Sequence, residues 1–254
     1  MSIANKILFI IVYLVAQTLT VFAQNQAITE PELMYRKQLM YGINLNSTGL
    51  GGLNFKMGWQ KTDLVKKILD IELARIRDSK EARVYGASEN PQRYTYDRIY
   101  MAFFLRTGYG RTITVTDRPY KNAFGLNFNY SFGLTTAILK PIYIDYLSIS
   151  YDNQGVGTSY VSSVRYDPNI HNNPQNIIGN SAFFYGASNS IARFGAYGKA
   201  SLEVRFSQFP DEFHNIEAGF TVDAFPEGLP LMANSPRQNL FFVFFVGYTY
   251  GLNL

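Results

Sequence analysis

The chain has no cysteine and only one tryptophan. Without thiols there is no disulfide framework and no thiolate metal site. An exported chain lacking these staples is held by a sizeable core or by a membrane. Charge is also scarce, at 17 % of residues, against ~25 % in typical soluble domains. The formal charge of +4 is small and scattered. No basic run suits nucleic acid, and no nucleic-acid partner is expected. Beyond the N-terminal segment no stretch reaches the ~18 continuous apolar residues of a transmembrane helix, which excludes a helical inner-membrane bundle.

Aromatics are plentiful, with 19 Tyr and 20 Phe, yet mean hydropathy is close to neutral at −0.08. An aromatic-rich, charge-poor and near-neutral chain fits alternating strands with one oily face and one polar face. The N-terminus reads as a secretory signal peptide over residues 1–23: Lys6 in a short leading region, the apolar run Ile7–Val15, and Val21-Phe22-Ala23 before a mature start at Gln24. The apolar run is too short for a comfortable ~20-residue span, and polar Gln17, Thr18 and Thr20 follow it. Residues 24–254 are then one barrel domain.

The periodicity of the mature chain is two. Leu39, Tyr41, Ile43 and Leu45 alternate with Gly42, Asn44 and Asn46; Leu53, Phe55, Met57 and Trp59 alternate with Asn54, Lys56 and Gly58. Leu69, Ile71 and Leu73 oppose Asp70, Glu72 and Ala74, although Asp63–Arg77 also admits a helix. Ile99–Thr107 alternates in the same way. Ala123–Gly133 is the clearest strand, with Phe124, Leu126, Phe128, Tyr130 and Phe132 on one face and Asn127, Asn129 and Ser131 on the other. The pattern returns over Arg193–Phe206, Asn215–Asp223 and Leu240–Asn253, where Phe241, Val243 and Phe245 make both faces apolar at first.

These segments predict an all-β fold, a transmembrane antiparallel up-and-down β-barrel of about eight strands of the ~10-residue length that crosses hydrocarbon. A membrane sheet must close, because lipid satisfies no open edge. Connections near Gln60–Leu64, Thr116–Tyr120 and Gln208–Glu212 are expected on the periplasmic side. The longer Arg77–Thr95, Leu134–Ser190 and Pro226–Gln238 are expected outside. A soluble sandwich is the rival, but the faces rich in large apolar residues oppose faces mixing small, polar and charged ones, the inverse of a soluble core. A ten-stranded barrel using Ile142–Tyr151 and Ser159–Tyr166 is the alternative strand count.

The inward set holds Lys56, Arg98, Arg106, Arg193, Lys199 and Arg205 with Asp70, Glu72, Glu203, Glu217 and Asp223. Charges in so narrow a lumen must pair, which predicts a plug of ion pairs in preference to a conduit. Leu134–Ser190 is rich in Tyr and Phe and is expected to fold over the barrel mouth. Gly247, Tyr250 and Leu252, in the order Gly-x-x-aromatic-x-apolar, resemble the C-terminal signal that such barrels present to their insertion machinery, though the chain ends Asn253-Leu254. Leu139-Lys140-Pro141-Ile142-Tyr143, Arg165–His171, Asp223-Ala224-Phe225-Pro226 and Leu229–Ala233, together with the final aromatic strand, resemble an uncharacterised family of small outer-membrane barrels of Bacteroidota. That resemblance covers about Tyr120–Leu254. It implies an outer-membrane location and carries over no catalytic or ligand residue.

Chemistry finds little footing. Nucleophilic hydrolysis needs a base beside Ser or Thr, and His171 and His214 are the only histidines. His214 falls at the membrane boundary beside a periplasmic turn. His171 has Asp167, Ser181 and Ser188 near it in sequence, but no Gly-x-Ser-x-Gly elbow exists. Asp167, Asn169 and His171 alternate as an ion site would, a weak pattern against an Asp-Pro turn. No catalytic, cofactor-binding or metal residue is therefore assigned. The sequence predicts a non-enzymatic component of the bacterial cell envelope in the outer membrane, for instance an accessory subunit of an assembly or secretion complex. Its expected partners are membrane lipids and envelope proteins that meet the extracellular loop. A passive channel and a lipid-modifying enzyme are the alternatives.

Overall fold

The computed structural model describes residues 37–62, 64–78, 80–81, 83–85, 93–116, 124–151, 155, 157–171, 176–206 and 212–254. The expected signal peptide and mature start lie outside the described residues, as do most of the predicted turns Thr116–Tyr120 and Gln208–Glu212. The described residues form thirteen strands: β1 (Lys37–Asn46), β2 (Gly49–Thr62), β3 (Val65–Ile76), β4 (Arg83–Tyr85), β5 (Arg93–Thr95), β6 (Tyr100–Thr116), β7 (Gly125–Pro141), β8 (Tyr143–Tyr151), β9 (Gly157–Arg165), β10 (Ile177–Asn180), β11 (Ile191–Phe206), β12 (Glu212–Leu229) and β13 (Gln238–Asn253).

Eight of them close into a ring in the order β1-β13-β12-β11-β7-β6-β3-β2, every pair antiparallel. β1 meets β13 over nine paired positions, from Gln38 opposite Asn253 to Asn46 opposite Phe245. The helical reading of Asp63–Arg77 gives way to β3. Its Asp70 and Glu72 are carried inward on the period of two, where buried cations await them. The ten-stranded alternative also falls. β8 and β9 do pair, but with β10 in a separate three-stranded sheet.

Three boundaries differ from the sequence reading. β6, β7, β11, β12 and β13 run 16 to 18 residues, longer than the ~10 that a membrane requires, so the ring continues past the bilayer. The supposed loop Leu134–Ser190 begins eight residues too early, because Leu134–Pro141 belongs to β7. Pro226–Leu229 likewise belongs to β12. Alternation fades there because Ala137, Leu139, Phe225 and Leu229 are apolar residues pointing inward, packed in one buried cluster with Ala74, Phe104, Phe241 and Val243.

Candidate functional site: a sealed lumen beneath an external head

Residues of even number on β3 and β6, and of odd number on β11, β12 and β13, project into the ring. In its periplasmic half they make an ion-pair network in three groups, around Arg106 and Lys199, around Lys56 and around Glu203. Arg106 Nε and Nη2 donate to both oxygens of Asp223 at 2.9 and 2.6 Å, and its Nη1 donates to Glu72 at 2.7 Å. Lys199 donates to Glu72 at 2.8 Å and Asp70 at 3.2 Å, with its ammonium 4.7 Å from the centre of the Phe245 ring. Lys56 donates to Glu217 at 2.5 Å, and Ser201 donates to the other Glu217 oxygen at 2.5 Å. Glu203 accepts from Asn127, Asn129 and Arg205 at 2.9, 3.0 and 3.2 Å. Lys56, Arg106, Lys199, Asp70, Glu72, Glu217 and Asp223 are all buried. The gap left between Lys56, Asp70, Lys199 and Glu217 is too small for a water molecule.

Two predicted lumen cations sit elsewhere. Arg193 lies at the outer rim, 41 % exposed and paired with Glu227. Arg98 leaves the strands, bridges to Met232 and donates to Glu81 at 3.0 Å. The outer half of the lumen is apolar where the sequence reading expected polar filling throughout. The rings of Phe104, Phe225 and Phe241 meet one another at centroid distances of 5.0, 5.2 and 5.9 Å. Leu231 and Met232, from the connection after β12, close the cluster from above. The apolar inward Phe241, Val243 and Phe245 were the one sequence signal for this layer.

The outward side is the reverse. Phe132, Phe194 and Phe244 are 63 %, 73 % and 67 % exposed, and Leu45, Leu53, Leu134, Phe220 and Phe242 are exposed with them. A closed sheet with an oily outer belt and a filled, ion-paired lumen is stable only across a bilayer. The ring is an outer-membrane β-barrel. At its periplasmic end Trp59, Tyr130, Tyr248 and Tyr250 face outward, as in an interfacial girdle. His214 falls in that girdle as expected, its Nδ1 2.6 Å from the Tyr248 hydroxyl and its ring stacked on Phe206.

At the other end the long connections fold into a head. β4 and β5 form a hairpin, and β10, β8 and β9 form the three-stranded sheet. Tyr94, Ile142, Ile144, Tyr166 and Ile177 are buried together between them, with Val84, Met101 and Val164 packed against that cluster. Asp97 ties in the third connection: its carboxylate accepts the Asn234 backbone N–H at 2.9 Å and the Asn234 side-chain amide at 2.8 Å. Asp97 holds φ at 63°, a left-handed conformation that a non-glycine residue adopts at a cost. No sequence signal marked it. Burial, together with the nearby Asp97 carboxylate, pushes the Tyr166 phenol up to about 12.

The residues weighed for chemistry are spent on structure. Asp167 Oδ1 accepts the Asn169 N–H at 2.9 Å, and His171 Nδ1 accepts the Asp167 N–H at 3.0 Å, which together build the Asp-Pro turn. The His171 ring packs against Tyr146 and Tyr166. Ser181 donates to Asp145 at 2.6 Å, not to His171, and Ser188 is exposed. Asp167, Asn169 and His171 therefore bond to one another and do not converge on an ion, and no group of three metal-ligating side chains occurs among the described residues.

No family model matches the chain, and no curated protein matches it. Among solved structures it is similar to Neisserial surface protein A, at 8 % identity over 87 % of this chain and 97 % of that one, with a TM-score of 0.40. It is also similar to the N-terminal β-barrel domain of Pseudomonas aeruginosa OprF, at 10 % identity over 87 % and 98 %, TM-score 0.36. A third is Ail, the attachment invasion locus protein of Yersinia pestis, at 12 % identity over 86 % and 100 %, TM-score 0.35. These likenesses are slight, and the fold stands on the closure and the two faces of the ring itself.

Proposed function

We propose that the protein is a non-enzymatic envelope component whose barrel is a sealed pedestal and whose head presents a recognition surface to other envelope proteins. The observation that carries this reading is β9. It is an edge strand of the head sheet, its side chains are exposed or half-exposed along its whole length, and Gly157–Arg165 carries no charge before Arg165 and no proline. Soluble proteins usually blunt such edges, and an unblunted one accepts another strand. Tyr160 and Val161 offer exposed ring and aliphatic surface on it. The ion-paired lumen argues against a conduit. The bonding of Asp167, His171 and Ser181 into turns argues against a lipid-modifying enzyme. Kinship with the small barrels of Bacteroidota, and a role as an accessory subunit of a larger complex, belong to this proposal.

The test is excision of the whole head sheet, Tyr143–Asn189, behind a short Gly/Ser bridge. The ring closes through β6, β7 and β11 without it, so a heat-modifiable, membrane-inserted barrel is expected to remain while envelope partners no longer co-purify. Unchanged recovery of the same partners would place recognition elsewhere.

A further inference from the structure

One part of the head does not stay above the ring. Met101 and Phe103 of β6 and Ile138 and Lys140 of β7 alternate outward, with Met101 opposite Lys140 and Phe103 opposite Ile138. At the upper level the head wraps this outer surface, since Met101 packs into the head's buried cluster. One level lower, Phe183 from the turn after β10 comes down beside the strands. Its ring meets Phe103 edge-on at 6.4 Å and lies 5.5 Å from the Lys140 ammonium. Lys140 would otherwise present a charge at the edge of the oily belt; under this cover it is buried. Phe184 meets Phe183 edge-on at 5.1 Å, and Tyr185 packs on Tyr143 at 5.6 Å.

We infer that Phe183-Phe184-Tyr185 is a wedge that enters the outer leaflet beside β6 and β7 and anchors the head to the membrane surface, its occupant being lipid acyl chains at the headgroup boundary. Continuity with the lipid-facing belt is the first argument. Phe183 rests on a belt residue, so Phe184 widens the belt sideways at the height where aromatic residues gather in membrane proteins. The second is that the turn is built to present the rings. Gly186 holds φ at 73° against the Tyr143 ring, Asn189 donates to the Tyr143 hydroxyl at 3.0 Å, and Ser190 donates to the Ala187 carbonyl at 2.7 Å. The third is the degree of exposure. Phe184 is 81 % exposed although the head has an apolar core of its own. Bare phenyl surface of that extent is unfavourable in water and favourable in hydrocarbon. The wedge is independent of whatever the head recognises.

The full chain in phosphatidylcholine nanodiscs tests it. W59F/F184W leaves one tryptophan at the wedge, and W59F/Y160W leaves one on β9. The F184W reporter should emit at shorter wavelength than the Y160W reporter and lose emission when the acyl chains carry bromine, while acrylamide in the buffer quenches only Y160W. Matching emission from the two reporters, with acrylamide quenching both and brominated lipid neither, would overturn the wedge. A second measurement needs no substitution. Under hydroxyl-radical footprinting in the same nanodiscs, Tyr185 of the natural chain should be modified less than Tyr160, although the protein alone leaves the two phenols equally exposed, at 51 % each. Equal or greater modification of Tyr185 rejects the proposal even where the tryptophan variants fail to assemble.

Discussion

Arg106 is fully buried and serves two carboxylates, with both Asp223 oxygens and one Glu72 oxygen on its guanidinium. A planar fork suits that geometry and a lysine does not. R106M would strand Asp223 without a cation and leave Glu72 to Lys199 alone. Removing one partner of a buried pair typically costs ~3–5 kcal/mol, so the urea midpoint of the folded barrel in lipid should fall markedly. The triple variant R106M/E72Q/D223N, with no orphaned charge at Arg106, should recover much of the loss; equal instability of the two variants would show that volume, not charge, decides. Tyr166 gives the head its own pH dependence. Its folded pKa of about 12 stands above the ordinary 10.0, so the native head holds this proton more tightly than the unfolded chain does. That contribution is complete below pH 10 and is lost as pH rises towards 12. Near-UV circular dichroism should show the head loosening across that window, and Y166F should remove the step.

β7 shows how a strand encodes its surroundings. Phe128 points outward and Asn129 inward, where its amide donates to Glu203 at 3.0 Å. Phe132 lies on the same outward face, two residues further into the belt than Tyr130 of the girdle. F132R places a cation on the lipid side, where the cost rises towards ~2–4 kcal/mol at the bilayer midplane. Insertion into liposomes should be impaired, while F132L should insert normally. Equal insertion of F132R and F132L would mean that the register is inverted or that Phe132 lies outside the hydrocarbon. Close approach constrains the same element. Gly108 and Gly133 face each other across β6 and β7, and a Cβ on either would collide with the neighbouring backbone. Small residues there let the strands converge beside Tyr197, a reason for glycine that the alternating pattern alone does not reveal.

Two seals lie in series through the whole molecule, the ion-pair network towards the periplasm and the Phe104, Phe225 and Phe241 cluster towards the head. Either one blocks an eight-stranded lumen, which side chains are just able to fill. In planar bilayers the protein should therefore show single-channel conductance near background. Reproducible steps of porin size would contradict both seals. Because the apolar seal recruits Leu231 and Met232 from an outer connection, head and barrel are packed as one unit at that end.

The sequence by itself determined the ring. A period of two, with large apolar side chains on one face and small or charged ones on the other, is a local property of each strand, and Ala123–Gly133 shows it without help from the rest of the chain. It also named most of the lumen charges, because side-chain direction follows from parity alone. Tertiary structure decided what parity leaves open. Which carboxylate Arg106 takes depends on strands that are distant in the chain and adjacent only once the ring closes. Whether β8 and β9 join the barrel depends on pairing partners, and β10 competes for them. Strand ends blurred where Ala137, Leu139 and Phe225 turn an apolar side inward, since hydropathy cannot distinguish an oily lumen from an oily belt. The bond from Asp97 to Asn234 and the descent of Phe183 onto Phe103 join segments far apart in sequence, and contacts of that kind exist only in the folded chain.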